Sequence, residues 1–263
     1  MRKKKKLALL LITAALILAL AVIALVFVFE GSQRADRISS YMLSLEHERP
    51  EIQQHFQDDS HGVFLPWPIT LIIDPGHGGI DPGATISDFV IDDQRISMKE
   101  SDITLSVAKM IKQRLENVYQ DLTILLTREE DRYMSLEERV ILGNSLFSDE
   151  GEKAFFISLH VEHSFDSNNS GMEILLSREI THDSPAFLLA ESIVSGFNDI
   201  FGEALPFRGI QTENIYYPSR VNMPSLIVNL AFLSNVNDRA LFYYNLESFA
   251  AAIVNGVKEY CKQ

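Results

Sequence analysis

From Ile69 onward the chain alternates short, almost wholly apolar runs with longer amphipathic segments, and that alternation leaves few architectures open. Ile69-Thr70-Leu71-Ile72-Ile73 is rich in β-branched residues, too short for a helix, and ended by Asp-Pro-Gly, so it reads as a strand. Leu122 to Leu126, Ala154 to Leu159, Met172 to Leu176 and Ser225 to Leu230 read the same way. Helical segments lie between them. Asp102 is predicted to cap one whose inner face carries Ala108, Ile111, Leu115 and Val118. Ser135-Leu136-Glu137-Glu138 forms a capping box, and Ser184 before Pro185 opens a helix toward Phe201. A last helix places Leu246, Phe249, Ile253, Val257 and Tyr260 on one side. Strands with no polar face need cover on both sides. The sequence therefore predicts a single α/β domain, a mixed, mostly parallel sheet with helices on both faces. Ligand sites in such sheets gather at strand ends.

Ahead of this domain, Leu7 to Phe29 runs 23 residues without a charge. As a helix it spans about 35 Å, enough for a hydrocarbon core of about 30 Å. A cleaved signal peptide is the competing reading, with Ala19-Leu20-Ala21 as its cleavage site. The apolar run continues well past that point, which favours an uncleaved transmembrane anchor. Arg2 and Lys3 to Lys6 precede the span and hold the N-terminus in the cytoplasm. The expected order is an anchor over residues 1–29, a juxtamembrane stalk over 30–68, and a domain over 69–263 on the outer face of the cytoplasmic membrane.

Charge narrows the partners. The first 29 residues hold five of the 23 cations and none of the 36 acids, so the rest of the chain carries −18. A body this acidic excludes nucleic acid as a partner, since that binding rests on cations at phosphate. Cys261 is the single cysteine, so neither an intramolecular disulfide nor a cysteine zinc cluster can form.

Three polar groups follow apolar strands: His77 within Asp74-Pro75-Gly76-His77-Gly78-Gly79, Glu100 ahead of the first long helix, and His160 ending Ser158-Leu159-His160. Two imidazoles and a carboxylate form a ligand set of the kind used by catalytic zinc, which leaves a fourth position for water. Spacing alone leaves a second reading open, in which His77 is a turn residue and His160 a hydrogen-bonded strand-end histidine.

A series of ordered segments bears on that choice. They are Ile72 to Ala84 (IIDPGHGGIDPGA), Lys99-Glu100, Leu126 to Arg128 (LTR), Ser135 to Arg139 (SLEER) and Phe156 to His160 (FISLH). Arg208 to Ile210 (RGI) and Met223 to Asn235 (MPSLIVNLAFLSN) follow. In these segments the chain resembles the zinc-dependent N-acetylmuramoyl-L-alanine amidases. The resemblance implies one α/β domain around a single Zn2+ held by His77, Glu100 and His160. It also implies hydrolysis of the amide joining the lactyl group of N-acetylmuramic acid to L-alanine of the peptidoglycan stem peptide.

Two departures from the family's pattern matter. Its catalytic glutamate lies in P-x-x-L-V-E-L-G-F-L-S-N, where this chain has Asn229, and an amide cannot serve as a general base at neutral pH. Its usual S-I-H-A-N reads Ser158-Leu159-His160-Val161-Glu162 here. The pair looks like an exchange of Glu and Asn between two strand-end positions. Residues i and i+2 of a strand share a face, so Glu162 would point the way His160 does if the strand persists. Two readings follow: an amidase in which Glu162 replaces the missing base, or an inactive homologue that binds peptidoglycan or a cell-wall partner. Among the remaining residues, Arg128 and Arg139 are expected to brace loops through carboxylates such as Asp131, and Asp81 to support the glycine turn or orient a ligand. Tyr216 and Tyr217 are candidates for a substrate groove, and Trp67 for packing.

Overall fold

The computed structural model describes residues 68–146, 153–216 and 219–262. Every described residue lies in one compact unit. The proposed anchor, the stalk through Trp67, and Tyr217 fall outside the described residues. Among the described residues no helix is long and apolar enough to cross a membrane.

The strands are β1 (Ile69–Pro75), β2 (Thr85–Ile91), β3 (Gln94–Lys99), β4 (Leu122–Leu126), β5 (Lys153–Glu162), β6 (Met172–Ser177), β7 (Phe207–Glu213) and β8 (Ser225–Phe232). The helices are α1 (Glu100–Val118), α2 (Leu136–Ser145), α3 (Pro185–Phe201) and α4 (Val236–Tyr260). Six strands form one sheet in the order β4-β1-β5-β8-β6-β7, and β2 and β3 form a separate hairpin. β4, β1, β5 and β8 run parallel. β6 lies antiparallel to β8 and parallel to β7. The sheet is thus mixed and mostly parallel.

Its two faces are covered by different helices. Ile72, Ala154 and Phe156 point to one face, where they pack with Val221, Met223 and, from α2, Val140. On the other face Phe155 meets Tyr260 of α4 edge to face, with ring centroids 5.0 Å apart. There α3 and α4 pack so closely that a Cβ on Gly196 would stand 2.2 Å from the carbonyl oxygen of Ala252. Every residue of β1 and β8 is buried, which matches their nearly unbroken apolar sequences.

Asp102 does not cap α1. The helix begins two residues earlier, after Lys99, which makes no side-chain cap. The preceding loop supplies the missing acceptors: the Glu100 N–H donates to Ala84 O (2.8 Å) and the Ser101 N–H to Pro82 O (3.1 Å). Backbone carbonyls thus do the work that the sequence assigns to a carboxylate. Ser135 and Ser184 do cap α2 and α3, with the full capping box at Ser135.

Candidate active site

The site lies at the C-terminal ends of β1 and β5, where the sheet hands over to loops. After β1 the chain turns through His77 in the left-handed region (φ 58°), followed by two glycines that also have positive φ. That turn is held from beneath. Asp74, fully buried, accepts from Arg139 Nη1 (2.6 Å), Thr127 Oγ1 (2.5 Å) and Ser158 Oγ (2.8 Å). Arg139 also donates to the carbonyls of Pro75 and His77 (both 2.7 Å). Arg128 donates to those of Pro75 (3.0 Å), Gly76 (2.8 Å) and Ser101 (2.9 Å). The two arginines therefore brace the loop by gripping its carbonyls, and Asp131, the partner expected from sequence, instead accepts the Gly79 N–H (2.7 Å).

His77, Glu100 and His160 converge. One donor atom from each lies within 4.8 Å of the other two. Glu100 Oε1 stands 3.2 Å from His77 Nε2 and 2.9 Å from His160 Nδ1. In a tetrahedral zinc site with bonds of about 2.0–2.1 Å, neighbouring donor atoms are about 3.3 Å apart. The residues present therefore fit a divalent cation. Two of the donors are also aimed. Asp81 Oδ2 sits 2.8 Å from His77 Nδ1, which leaves Nε2 to face Glu100. Glu100 accepts the N–H groups of Val161 (2.9 Å) and Ala84 (2.8 Å). Glycines allow the close approach: a Cβ on Gly76 would lie 2.6 Å from His160 Cε1, and one on Gly83 would lie 2.4 Å from Glu100 Oε2.

Electrostatics follow the geometry. Burial opposes ionisation of Glu100, but His160 and then His77 outweigh it and hold the carboxyl well below the usual carboxylate range. Burial likewise opposes the charged form of His77, and Glu100 and Asp81 more than offset it, raising the imidazole. Glu162 moves the other way. Burial first, then the charges of Glu173 and Glu100, raise its carboxyl above the ordinary value.

β5 persists through Glu162. In the sheet, His160 is in register with Asn229, and Asn229 with Glu173 of β6. The Asn229 amide nitrogen donates to Glu162 Oε1 (2.7 Å) and to Glu173 Oε1 (2.9 Å). Glu173 was not visible as a site residue in the sequence. The available signal was a lone acid inside the apolar run Met172 to Leu176, on the strand face opposite the deeply buried Met172, Ile174 and Leu176. His163 is exposed, and Tyr216 is half-exposed under the Arg220 guanidinium, 4.0 Å from its ring centre.

The N-acetylmuramoyl-L-alanine amidase family model matches residues 71–259. The chain is 28% identical over 195 residues to the sporulation-specific N-acetylmuramoyl-L-alanine amidase of Bacillus subtilis, covering 73% of this chain and 68% of that protein. It is 27% identical over 197 residues to the probable cell wall amidase LytH of Staphylococcus aureus, covering 73% of this chain and 58% of that one. Of solved structures, an N-acetylmuramoyl-L-alanine amidase from Clostridium difficile 630 superposes with a TM-score of 0.60 at 26% identity, over 74% of this chain and 98% of that chain. AmiC2 of Nostoc punctiforme, at 23% identity, gives 0.61 over the same shares and speaks to the fold alone.

Proposed function

Because this chain belongs to the N-acetylmuramoyl-L-alanine amidase family, we propose that it hydrolyses the lactyl–L-alanine amide of peptidoglycan using zinc held by His77, Glu100 and His160. The observation that carries this reading is the convergence of three donors from three separate elements, with His77 aimed by Asp81 and Glu100 by two backbone N–H groups. When bound, zinc polarises the scissile carbonyl and makes a water acidic enough to attack near neutral pH. The protein's own part is proton handling. Asn229 cannot take a proton, because an amide is not basic near neutral pH, and its nitrogen donates to two carboxylates. Glu162, on the face of β5 that carries His160, receives the proton of the attacking water and returns it to the departing L-alanine amine.

A second reading rests on Asn229 itself: a protein that keeps the cation and the wall contact but does not turn over. A zymogram on purified wall, run with added zinc and with chelator, separates the two. Zinc-dependent clearing that falls about 10² to 10⁴-fold in Glu162→Gln supports the enzyme. Bound metal without clearing leaves the binding reading, and failure to bind metal removes both.

We further place the domain outside the cytoplasmic membrane, tethered through residues 7–29. The uncharged run and the five cations before it support that placement.

A further inference from the structure

One row of side chains crosses three adjacent strands beside the candidate metal centre. Register places His160 of β5, Asn229 of β8 and Glu173 of β6 side by side, and residues in register present their side chains on one face of a sheet. Asn229 is 2% exposed and Glu173 9%. An amide nitrogen carries two protons, and here both are committed, one to Glu162 Oε1 and one to Glu173 Oε1. The far oxygen of Glu173 is fixed from β7: Gln211 Nε2 donates to it at 3.1 Å and Arg208 Nε at 3.4 Å. Arg208 in turn lies over the Phe232 ring, 4.9 Å from its centre. The chain of contacts therefore runs from the sheet, through Glu173 and Asn229, to a carboxylate at the very end of β5.

The chemistry of position 229 follows from its neighbours. A carboxylate there would meet two others within hydrogen-bond range and offer neither a proton. An amide turned nitrogen-first satisfies both. Asparagine at 229 and glutamate at 162 are thus a matched pair, and Glu173 is the fixed point that makes the match necessary.

We propose that Asn229 and Glu173 are positioning residues that together hold the Glu162 carboxylate where it exchanges protons with substrate. This rests on the amidase reading of the site. The role is geometric, and a misplacement of about 1 Å can cost about 10²-fold in rate.

The test uses the full-length, detergent-solubilised chain loaded with zinc and assayed on purified peptidoglycan. Asn229→Ala and Glu173→Ala are each expected to lower kcat about 10- to 100-fold, with KM within about twofold and metal stoichiometry unchanged. The double variant should be no worse than the poorer single, because the two act as one unit. Glu173→Gln keeps an acceptor for Asn229 and should recover part of the loss, whereas a scaffold that had simply failed to fold would lose metal as well. A second readout needs no turnover. In the metal-free chain labelled with 15N-asparagine, Glu162→Gln should shift one side-chain amide proton of Asn229, and Glu173→Ala the other. Variants that match wild-type kcat, losses that multiply independently, or amide protons that ignore both substitutions would each overturn the positioning role while leaving an active wild type intact. A wild-type chain that binds zinc and leaves the wall uncut overturns the amidase reading, and the proton-transfer role with it.

Discussion

Gly76 shows how one missing side chain sets the site. Its Cβ would fall 2.6 Å from His160 Cε1 and 2.8 Å from the Leu159 carbonyl oxygen, so it meets both a ring and fixed backbone. Gly76→Ala should therefore push His160 away from Glu100. Overpacking of this kind costs about 1–3 kcal/mol. The expected outcome is a folded protein with a lower melting temperature and reduced zinc content by metal analysis; an unchanged zinc stoichiometry and affinity would show that the ring has room to move. Cys261 gives a pH prediction of known sign. Burial penalises its thiolate and pushes the thiol up to about 11. The folded chain thus holds this proton more tightly than the unfolded chain, and the associated stability declines as pH rises from the ordinary thiol range toward that value. Alkylation by iodoacetamide at pH 8 should be roughly 100-fold slower in the native chain than in urea, because only the thiolate reacts. Equal rates in the two states would refute the shift. The positions of His77, Glu100 and His160 at strand and helix ends were legible in the sequence because glycine turns and strand endings mark them. Glu173 was not, because its importance depends on which strand lies beside β8. That pairing is non-local: β6 joins β8 antiparallel, across an intervening helix and strand.

Helix α4 and its packing against α3 show what the element scale adds. The sequence marks its apolar stripe from Leu246 onward, whereas the helix begins at Val236. The first part escapes a periodicity reading because the helix breaks its regular geometry at Asn245 (φ −133°), which shifts the phase of the buried face. The β2–β3 hairpin escapes for a different reason. It stands apart from the main sheet, and its turn places Asp92 and Asp93 at positive φ, a conformation usually signalled by glycine or asparagine. Strand β7 is half-exposed and lacks the apolar run that reveals the central strands. The capped starts of α2 and α3 were legible to the residue, since capping is local chemistry. The α3–α4 contact yields a prediction. A Cβ at Gly196 would stand 2.2 Å from Ala252 O and 3.0 Å from Gly256 N, all of it α4 backbone. Gly196→Ala replaces glycine by a better helix former, a gain of about 1 kcal/mol in isolation. Here the helices would have to part, so a net loss of stability is expected instead, read as a lower urea midpoint with zinc binding retained. A raised midpoint would mean that α3 can shift without cost.

The whole molecule presents an electrostatic conflict with its proposed substrate. Outside the first 29 residues the chain carries −18, and peptidoglycan stem peptides end in carboxylates. Like charges repel over the Debye length, about 30 Å at 0.01 M salt and about 8 Å at 0.15 M. Bulk attraction therefore cannot bring this domain to the wall. Contact must come from local groups around the strand-end site, with the repulsion as an opposing term that salt removes. The sign is the reverse of that for a basic wall-binding protein, whose affinity falls as salt screens its attraction. Sedimentation of the full-length chain with purified, teichoic-acid-free peptidoglycan should therefore show more protein bound at 0.15 M than at 0.01 M salt. The gain should level off once the screening length is shorter than the gap between the two surfaces. A steady fall in binding with salt would mean that a cationic patch, and not local contacts around the site, carries the contact. The same repulsion gives the proposed tether a purpose. A domain held beside its polymer by residues 7–29 works at an effective concentration set by the linker and needs little intrinsic affinity. Cleaving the chain after the span should accordingly slow wall hydrolysis in intact cells far more than it slows hydrolysis of soluble muramyl peptides, and most strongly at low ionic strength, where the freed domain is repelled farthest.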